Sequence, residues 1–151
     1  MSKYSYNTGL HMVLSHIDTT MYNDRRYYYD CWHQNALIGR VEVVLIGKIR
    51  AEIDLVYINH KYRNRGWGMI FAWRLLRNLK KRGVKHVYVH NSPISNKWWT
   101  GKFGFTPILV TKCPQCIKES HSVEEEYMDN YVGDDWEDFD TSTITYLHKK
   151  L

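Results

Sequence analysis

Apolar and polar positions alternate along the first third of the chain, then switch to a helical spacing. Leu10 to Ile17 reads as a strand, and the polar residues 19–26 as a short connection. Tyr27 to His33 has the aromatic enrichment of a strand, with a turn at Asn35. Leu37 to Leu45 is rich in β-branched residues, Gly47-Lys48 marks a turn, and Ala51 to Ile58 follows as a further strand. These segments predict an antiparallel meander. From Gly66 the period changes: Met69 to Arg82 sets Ala72, Trp73, Leu75, Leu76 and Leu79 on one broad helical face. Lys80, Lys81 and Arg82 suit the negative helix end, and Gly83 suits its C-terminal cap. Val84 to His90 then reads as a strand, Ser95 to Phe103 as a short helix ended by Gly104, and Phe105 to Lys112 as a strand. Residues 119–140 break the pattern and predict a long loop with a helical turn around Glu124 to Met128; Thr141 to His148 closes the chain as a strand. The sum is an α+β domain.

Length fits one domain, residues 1–151, with an acidic insertion at about 113–140. No run approaches the ~18 apolar residues of a membrane span. The N-terminal run Met-Ser-Lys-Tyr-Ser-Tyr lacks the apolar core of a secretory signal. Three cysteines, an odd count, argue against a disulfide framework, so the expected location is cytoplasmic. The net charge of +5 hides a split: residues 1–118 carry a balance of +13, and residues 119–140 one of −10. A polyanionic cofactor suits the basic part, and a cationic acceptor suits the acidic part.

The densest chemical signal is Arg63-Asn64-Arg65-Gly66-Trp67-Gly68, set between a strand and a helix. Its glycines let the backbone turn tightly, so that several N–H groups converge. The helix start adds unpaired N–H groups and partial positive charge, a geometry suited to a pyrophosphate. Arg63 and Arg65 add charge-assisted contacts. Arg-x-x-Gly-x-Gly alone arises by chance in roughly one chain in 25, so its weight comes from the flanking elements. It is neither a Walker A loop nor a three-glycine dinucleotide fingerprint.

From Ala51 to Phe105, about 55 residues, the chain resembles the central part of the GNAT superfamily of N-acyltransferases. The pieces come in family order: strand Glu52–Ile58, loop Tyr62–Gly68, helix to Arg82, strand Val84–His90, a second helix, then Lys102-Phe103-Gly104-Phe105. The Gly-Phe after the short aromatic helix is a second family mark, independent of the loop. The resemblance implies a mixed, mostly antiparallel sheet of six to seven strands flanked by helices and splayed between the strands at 51–58 and 84–90.

It also implies acetyl-CoA as cofactor, with pantetheine lying in the splay against the Ile58 backbone and the Val56 N–H directed at the thioester carbonyl. Glu52, 14 residues before Gly66, matches the general base of the histone-acetylating branch, with Asp54 as fallback. The cofactor-binding set carried over is Tyr57, Ile58, Arg63, Asn64, Arg65, Gly66, Trp67, Gly68, Met69, Asn96 and Trp99. The implied activity moves acetyl from acetyl-CoA to a primary amine by direct attack. A protein lysine or other cationic amine is the expected acceptor and a homodimer is allowed. One position departs from the pattern: Thr100 stands where many members place an acidic tyrosine, so an unaided thiolate or another phenol such as Tyr88 must serve. The alternative is a catalytically weak member acting as a CoA-binding or partner-binding module.

Other signals stay open at the level of sequence. Cys113-Pro-Gln-Cys116, with His121, Cys31 and His33 elsewhere, reads as reduced thiols first, then as half a zinc site or a redox pair; no metal ligand is assigned. Arg25-Arg26-Tyr27-Tyr28-Tyr29 with Arg40, Lys48 and Arg50 reads as an aromatic strand flanked by solvated arginines before it reads as a nucleic-acid surface.

Overall fold

A computed structural model describes residues 9–90, 95–109 and 145–151. Four strands form the expected meander: β1 (Leu10–Thr19), β2 (Arg25–His33), β3 (Ala36–Ile46) and β4 (Arg50–Ile58). A 3₁₀ turn, His60–Tyr62, leads to α1 (Trp67–Lys81), then β5 (His86–His90), α2 (Asn96–Phe103), β6 (Thr106–Leu109) and β7 (Thr145–Lys150). They make one seven-stranded sheet in the order β1-β2-β3-β4-β5-β7-β6. All neighbours are antiparallel except β4 and β5, which α1 joins as a parallel crossover. The expected acidic insertion, its helical turn and the Cys113–Cys116 motif with His121 lie outside the described residues.

Helix α1 forms where the 3.6 period predicted it and buries Ile70, Phe71, Ala72, Leu75, Leu76 and Leu79. Their partners are Ala51 and Ile53 of β4, Val87 and Val89 of β5 and Leu147 of β7, joined by Trp99 and Phe103 of α2. Both helices therefore share one core with one face of the sheet. Trp73, placed on the apolar face by spacing, is 37% exposed and rests on the Phe103 ring instead. Each helix stops at a left-handed glycine just past its end, Gly83 at φ +91° and Gly104 at φ +73°.

Side chains pointing away from the helices follow from the same alternation: Arg50 and Glu52 on β4, His86 and Tyr88 on β5, Tyr146 and His148 on β7. Of these, Arg50, Glu52, His86, Tyr88 and Tyr146 are buried. His86 Nδ1 and His148 Nε2 lie 2.8 Å apart with stacked rings.

Strand β4 carries a bulge. Glu42 pairs with Leu55 but Val43 pairs with Ile53, so Asp54 is the extra residue. The bulge resets the alternation. Ala51 and Ile53 face the core before it; Val56 and Ile58 face the core after it. Glu52, Asp54, Leu55 and Tyr57 are left on the other face. Across the ladder, Gly39 meets Ile58, and a Cβ on Gly39 would stand 2.0 Å from the Tyr57 carbonyl oxygen and 3.1 Å from the Ile58 Cα. Gly39→Ala must push β4 away at this point. It is expected to destabilise the fold by about 2–3 kcal/mol, read as a lower urea midpoint with the slope unchanged.

Candidate active site

The ladder between β4 and β5 runs from Arg50↔His86 to Ile53↔Val89, one residue before β5 ends at His90, while β4 continues to Ile58. The direction of the free main-chain groups follows from the register with β3. Asn59 N–H donates to the Ile38 carbonyl at 2.7 Å, which makes the flanking Gly39↔Ile58 pair the non-hydrogen-bonded kind. Alternation then turns the N–H and C=O groups of Tyr57 and Leu55 towards β3, and those of Val56 and Ile58 towards the opening. Arg63 Nε donates to the Ile58 carbonyl at 2.7 Å, so that acceptor is already taken.

The loop after β4 is fixed from several sides. Tyr62 N–H donates to the Asn59 carbonyl at 2.9 Å and Arg63 N–H to the His60 carbonyl at 3.2 Å. Trp67 lies against His33, centroids 4.4 Å apart, and beside Tyr62 at 6.2 Å, with the Arg65 guanidinium 5.1 Å from its ring. Asn64 and Gly66 both take left-handed backbone conformations, φ +65° and +77°, and Gly66 caps α1. Among the described residues no side chain bonds the cap and no acid sits in the first turn, where the helix carries its positive end. The last turn carries Lys80 and Lys81, the complementary charge at the opposite pole.

Between the open half of β4 and the start of α1 lies a cleft of about 770 Å³. Val56, Tyr57, Ile58, Tyr62, Arg63 and Asn64 line one side, and Gly66, Trp67, Gly68 and Met69 the floor, with Ser95, Trp98 and Lys102 opposite. A Cβ on Gly68 would point into it, 3.5 Å from Ile58 Cγ1 and 3.9 Å from Trp98 Cζ2. Eight of the eleven expected cofactor residues thus come together here: Tyr57, Ile58, Arg63, Asn64, Gly66, Trp67, Gly68 and Met69. Three stand apart. Arg65 is drawn over Trp67. Asn96 is the first residue of α2, next to the lining Ser95, and its carbonyl accepts the Thr100 hydroxyl at 2.9 Å. Trp99 is 4% exposed and packs into the core against Phe103 and Phe105, so Trp98 supplies the wall instead. The i, i+4 spacing of Trp99 and Phe103 carried that signal. Tyr62, Ser95 and Lys102 were not expected at the cleft.

Glu52 sits where the ladder gives out, beside Ile53↔Val89 and paired with Tyr88. It is 7% exposed, and its Oε1 is buried with no hydrogen-bond partner among the described residues. Burial first, then the hydrogen bond and charge of Asp54, push its carboxyl up to about 8; a hydrogen bond from Tyr146 and the Arg26 charge pull the other way. Asp54 is ion-paired with Arg26 of β2. Thr100, its hydroxyl spent within α2, has no part at Glu52.

The remaining sequence signals resolve on the described residues. Tyr27 is in the core with the Arg82 guanidinium 5.2 Å from its ring, while Tyr28 stacks on His16 on the opposite face. Such alternation gives no continuous stacking surface. Cys31 is wholly buried and its thiol is pushed up to about 12, chiefly by burial. No group of three or more metal-binding side chains occurs among the described residues, and no helix there is long and apolar enough to cross a membrane.

Among curated proteins none matches the chain. Solved structures do. An acetyltransferase from Thermus thermophilus superposes with TM-score 0.54 at 16% identity, over 83% of this chain and 64% of its own length. A GNAT family acetyltransferase from Elizabethkingia anophelis with acetyl-CoA bound gives 0.54 at 17% identity, over 83% of this chain and 76% of that one. N-acetylglutamate synthase from Neisseria gonorrhoeae, complexed with coenzyme A and N-acetyl-glutamate, gives 0.56 at 13% identity, over 82% and 25%. At such identities the likeness is one of fold, and the chain spans just under two thirds of the Thermus protein. The model of the acetyltransferase (GNAT) family matches residues 3–105, well over half of the sequence. The chain is a member of the GNAT acetyltransferase family.

Proposed function

We propose that the protein transfers an acetyl group from acetyl-CoA to a primary amine, and that Glu52 receives the proton the amine gives up. The observation that carries this reading is the cleft itself. It joins a strand edge that continues past the β5 ladder, able to pair with an amide-bearing arm, to a helix start with no acid in its first turn, flanked by Arg63 and by Asn64 in a left-handed turn. The chemistry fits the cofactor at both ends: N–H groups and cations for the diphosphate, strand edge and Trp98 for the pantetheine arm. Bound there, acetyl-CoA supplies the activated acyl carbon.

The chain's own groups do the rest. The Val56 N–H, directed into the opening, is assigned to hydrogen-bond the carbonyl oxygen on which charge develops. Glu52, with a pKa lifted towards neutrality, is matched to taking a proton from nitrogen. Tyr146, which hydrogen-bonds Glu52, and Tyr88, its partner on β5, are the candidates for returning a proton to sulfur, a role for which Thr100 is too weak an acid. A cationic acceptor, a protein lysine among them, suits the two carboxyls at the bulge.

Acetyl-CoA is expected to raise the melting temperature by about 5 °C or more at concentrations ~100-fold above its dissociation constant. No shift at millimolar acetyl-CoA would contradict the cofactor assignment. Thiol release with a panel of primary amines then tests transfer, and binding without release under every amine would point to a CoA-binding module.

A further inference from the structure

On the face of the sheet away from the helices, against the part of β4 that runs past the β5 ladder, lies a second hollow of about 240 Å³. Its floor is one row across three strands. Asp30 of β2 pairs with Arg40 of β3, and Arg40 with Tyr57 of β4. Their neighbours Tyr29, Val41 and Val56 turn to the core, so these three side chains share the outer face. Leu37, Leu55 and Asn59 complete the lining, and the Asn59 Nδ2 is spent on the Leu37 carbonyl at 3.3 Å. Opposite charges directly across antiparallel strands ordinarily pair with each other. Asp30 and Arg40 do not: neither side chain has an ion pair or hydrogen bond among the described residues. A carboxylate and a guanidinium thus border one small space with their hydrogen-bonding capacity unspent.

Tyr57 ties this hollow to the cofactor cleft, because it lines both. The Arg63 guanidinium, from the cleft, stands 5.2 Å from its ring. Leu55 and Tyr57 flank Val56, whose N–H is turned away from β3. From the Arg40–Tyr57 row to that side of β4 is one to two strand spacings, ~5–10 Å, a gap that a stem of three or four carbons crosses. We propose that the hollow holds the α-carbon end of a free diamino acid. Arg40 binds its α-carboxylate, Asp30 its α-ammonium, and the stem crosses Leu55 and Tyr57 to bring the side-chain amine to the acetyl group. This rests on the acetyl transfer proposed above and names its acceptor. The volume, that of roughly eight waters in the liquid, suits one amino acid and not a folded segment. A lysine within a protein has both α-groups in peptide bonds, and a plain diamine has no carboxylate for Arg40. The reaction is unchanged: the side-chain nitrogen bonds the acetyl carbon, the carbon–sulfur bond breaks and CoA leaves as the thiol. One proton leaves nitrogen and one reaches sulfur, so the protein ends as it began.

Thiol release from acetyl-CoA with the full chain gives the test. Free lysine and ornithine would be compared with cadaverine and putrescine, the same molecules without the carboxylate, and with Nα-acetyl-lysine methylamide, in which both α-groups are blocked. At least one free diamino acid is expected to exceed its diamine, and lysine its blocked form, by about tenfold or more in kcat/KM. Arg40→Gln should reduce the preference over the diamine to about twofold or less, and Arg40→Lys should keep most of it. Asp30→Asn should weaken diamino acid and diamine alike, since both carry the second ammonium. Diamino acids no better than their diamines, or a preference untouched by Arg40→Gln, would overturn the proposal. A failure of acetyl transfer is distinguishable, since no amine then releases thiol. Calorimetry with CoA present reads the hollow directly in that case: diamino-acid binding lost in Arg40→Gln upholds the site, and no binding by the parent sinks it.

Discussion

Glu52→Gln is expected to lower kcat by about 10²–10⁴ at neutral pH while leaving acetyl-CoA affinity within about twofold, because the substitution removes a proton acceptor and leaves the cleft intact. The same variant should be more stable than the parent in alkaline solution. Glu52 has its folded-state pKa raised to about 8 by burial and by Asp54. In the unfolded chain it titrates near 4.5. Between these values the folded state binds more protons than the unfolded one, so this carboxyl lowers stability as pH climbs from about 4.5 through about 8. Glutamine carries no such term. The difference in unfolding free energy between parent and Glu52→Gln should therefore grow by about 2–4 kcal/mol in favour of the variant from pH 5 to pH 9. Denaturant midpoints at the two pH values measure it. Full turnover in the variant would remove Glu52 from the mechanism, and a gap independent of pH would show that the carboxyl is not held neutral.

The second large effect belongs to Gly68. It lies on the first turn of α1, and a Cβ there meets only ordinary contacts, at 3.5 Å with Ile58 and 3.9 Å with Trp98. The fold therefore tolerates a side chain, but the cleft does not. Gly68→Leu would place its branches between the open edge of β4 and Trp98. The expected result is a loss of acetyl-CoA affinity of about 100-fold or more, some 3 kcal/mol, at an unchanged or higher melting temperature. Gly66→Leu should behave differently: nothing crowds its Cβ, but φ of +77° burdens any side chain, so stability falls by about 1–2 kcal/mol. If Gly68→Leu bound acetyl-CoA as the parent does, the cofactor would have to lie elsewhere.

Much of the architecture was legible in the chain because it is written in local periods. The strands of the meander, the 3.6-residue face of α1 and the glycines at both helix ends each follow from spacing alone. So did the cleft floor, since loop and helix start are contiguous in sequence. The bulge left no clear trace: apolar residues at 51, 53 and 55 continue the alternation of a plain strand, and only the structure shows that the core positions are 51, 53, 56 and 58. Contacts between distant strands left none. Arg26 and Tyr146 reach Glu52 only because β2 lies two places from β4 on one side, and β7 lies across β5 on the other. Trp99 and Trp98 were exchanged for another reason. In so short a helix the phase is decided by which ring meets Phe103 and Phe105, and that is settled by packing.

The extra residue at position 54 has a consequence for how this strand can change. Upstream of it, the polar side chains turned away from the helices include the proposed base; downstream, the apolar ones hold the backbone edge against which the cofactor is proposed to lie. A reset of parity between the two tracts uncouples them, so a substitution in one need not re-aim the other. An engineer seeking a new acceptor could therefore vary positions 50 to 54 while the nucleotide end of the pocket stays as it is.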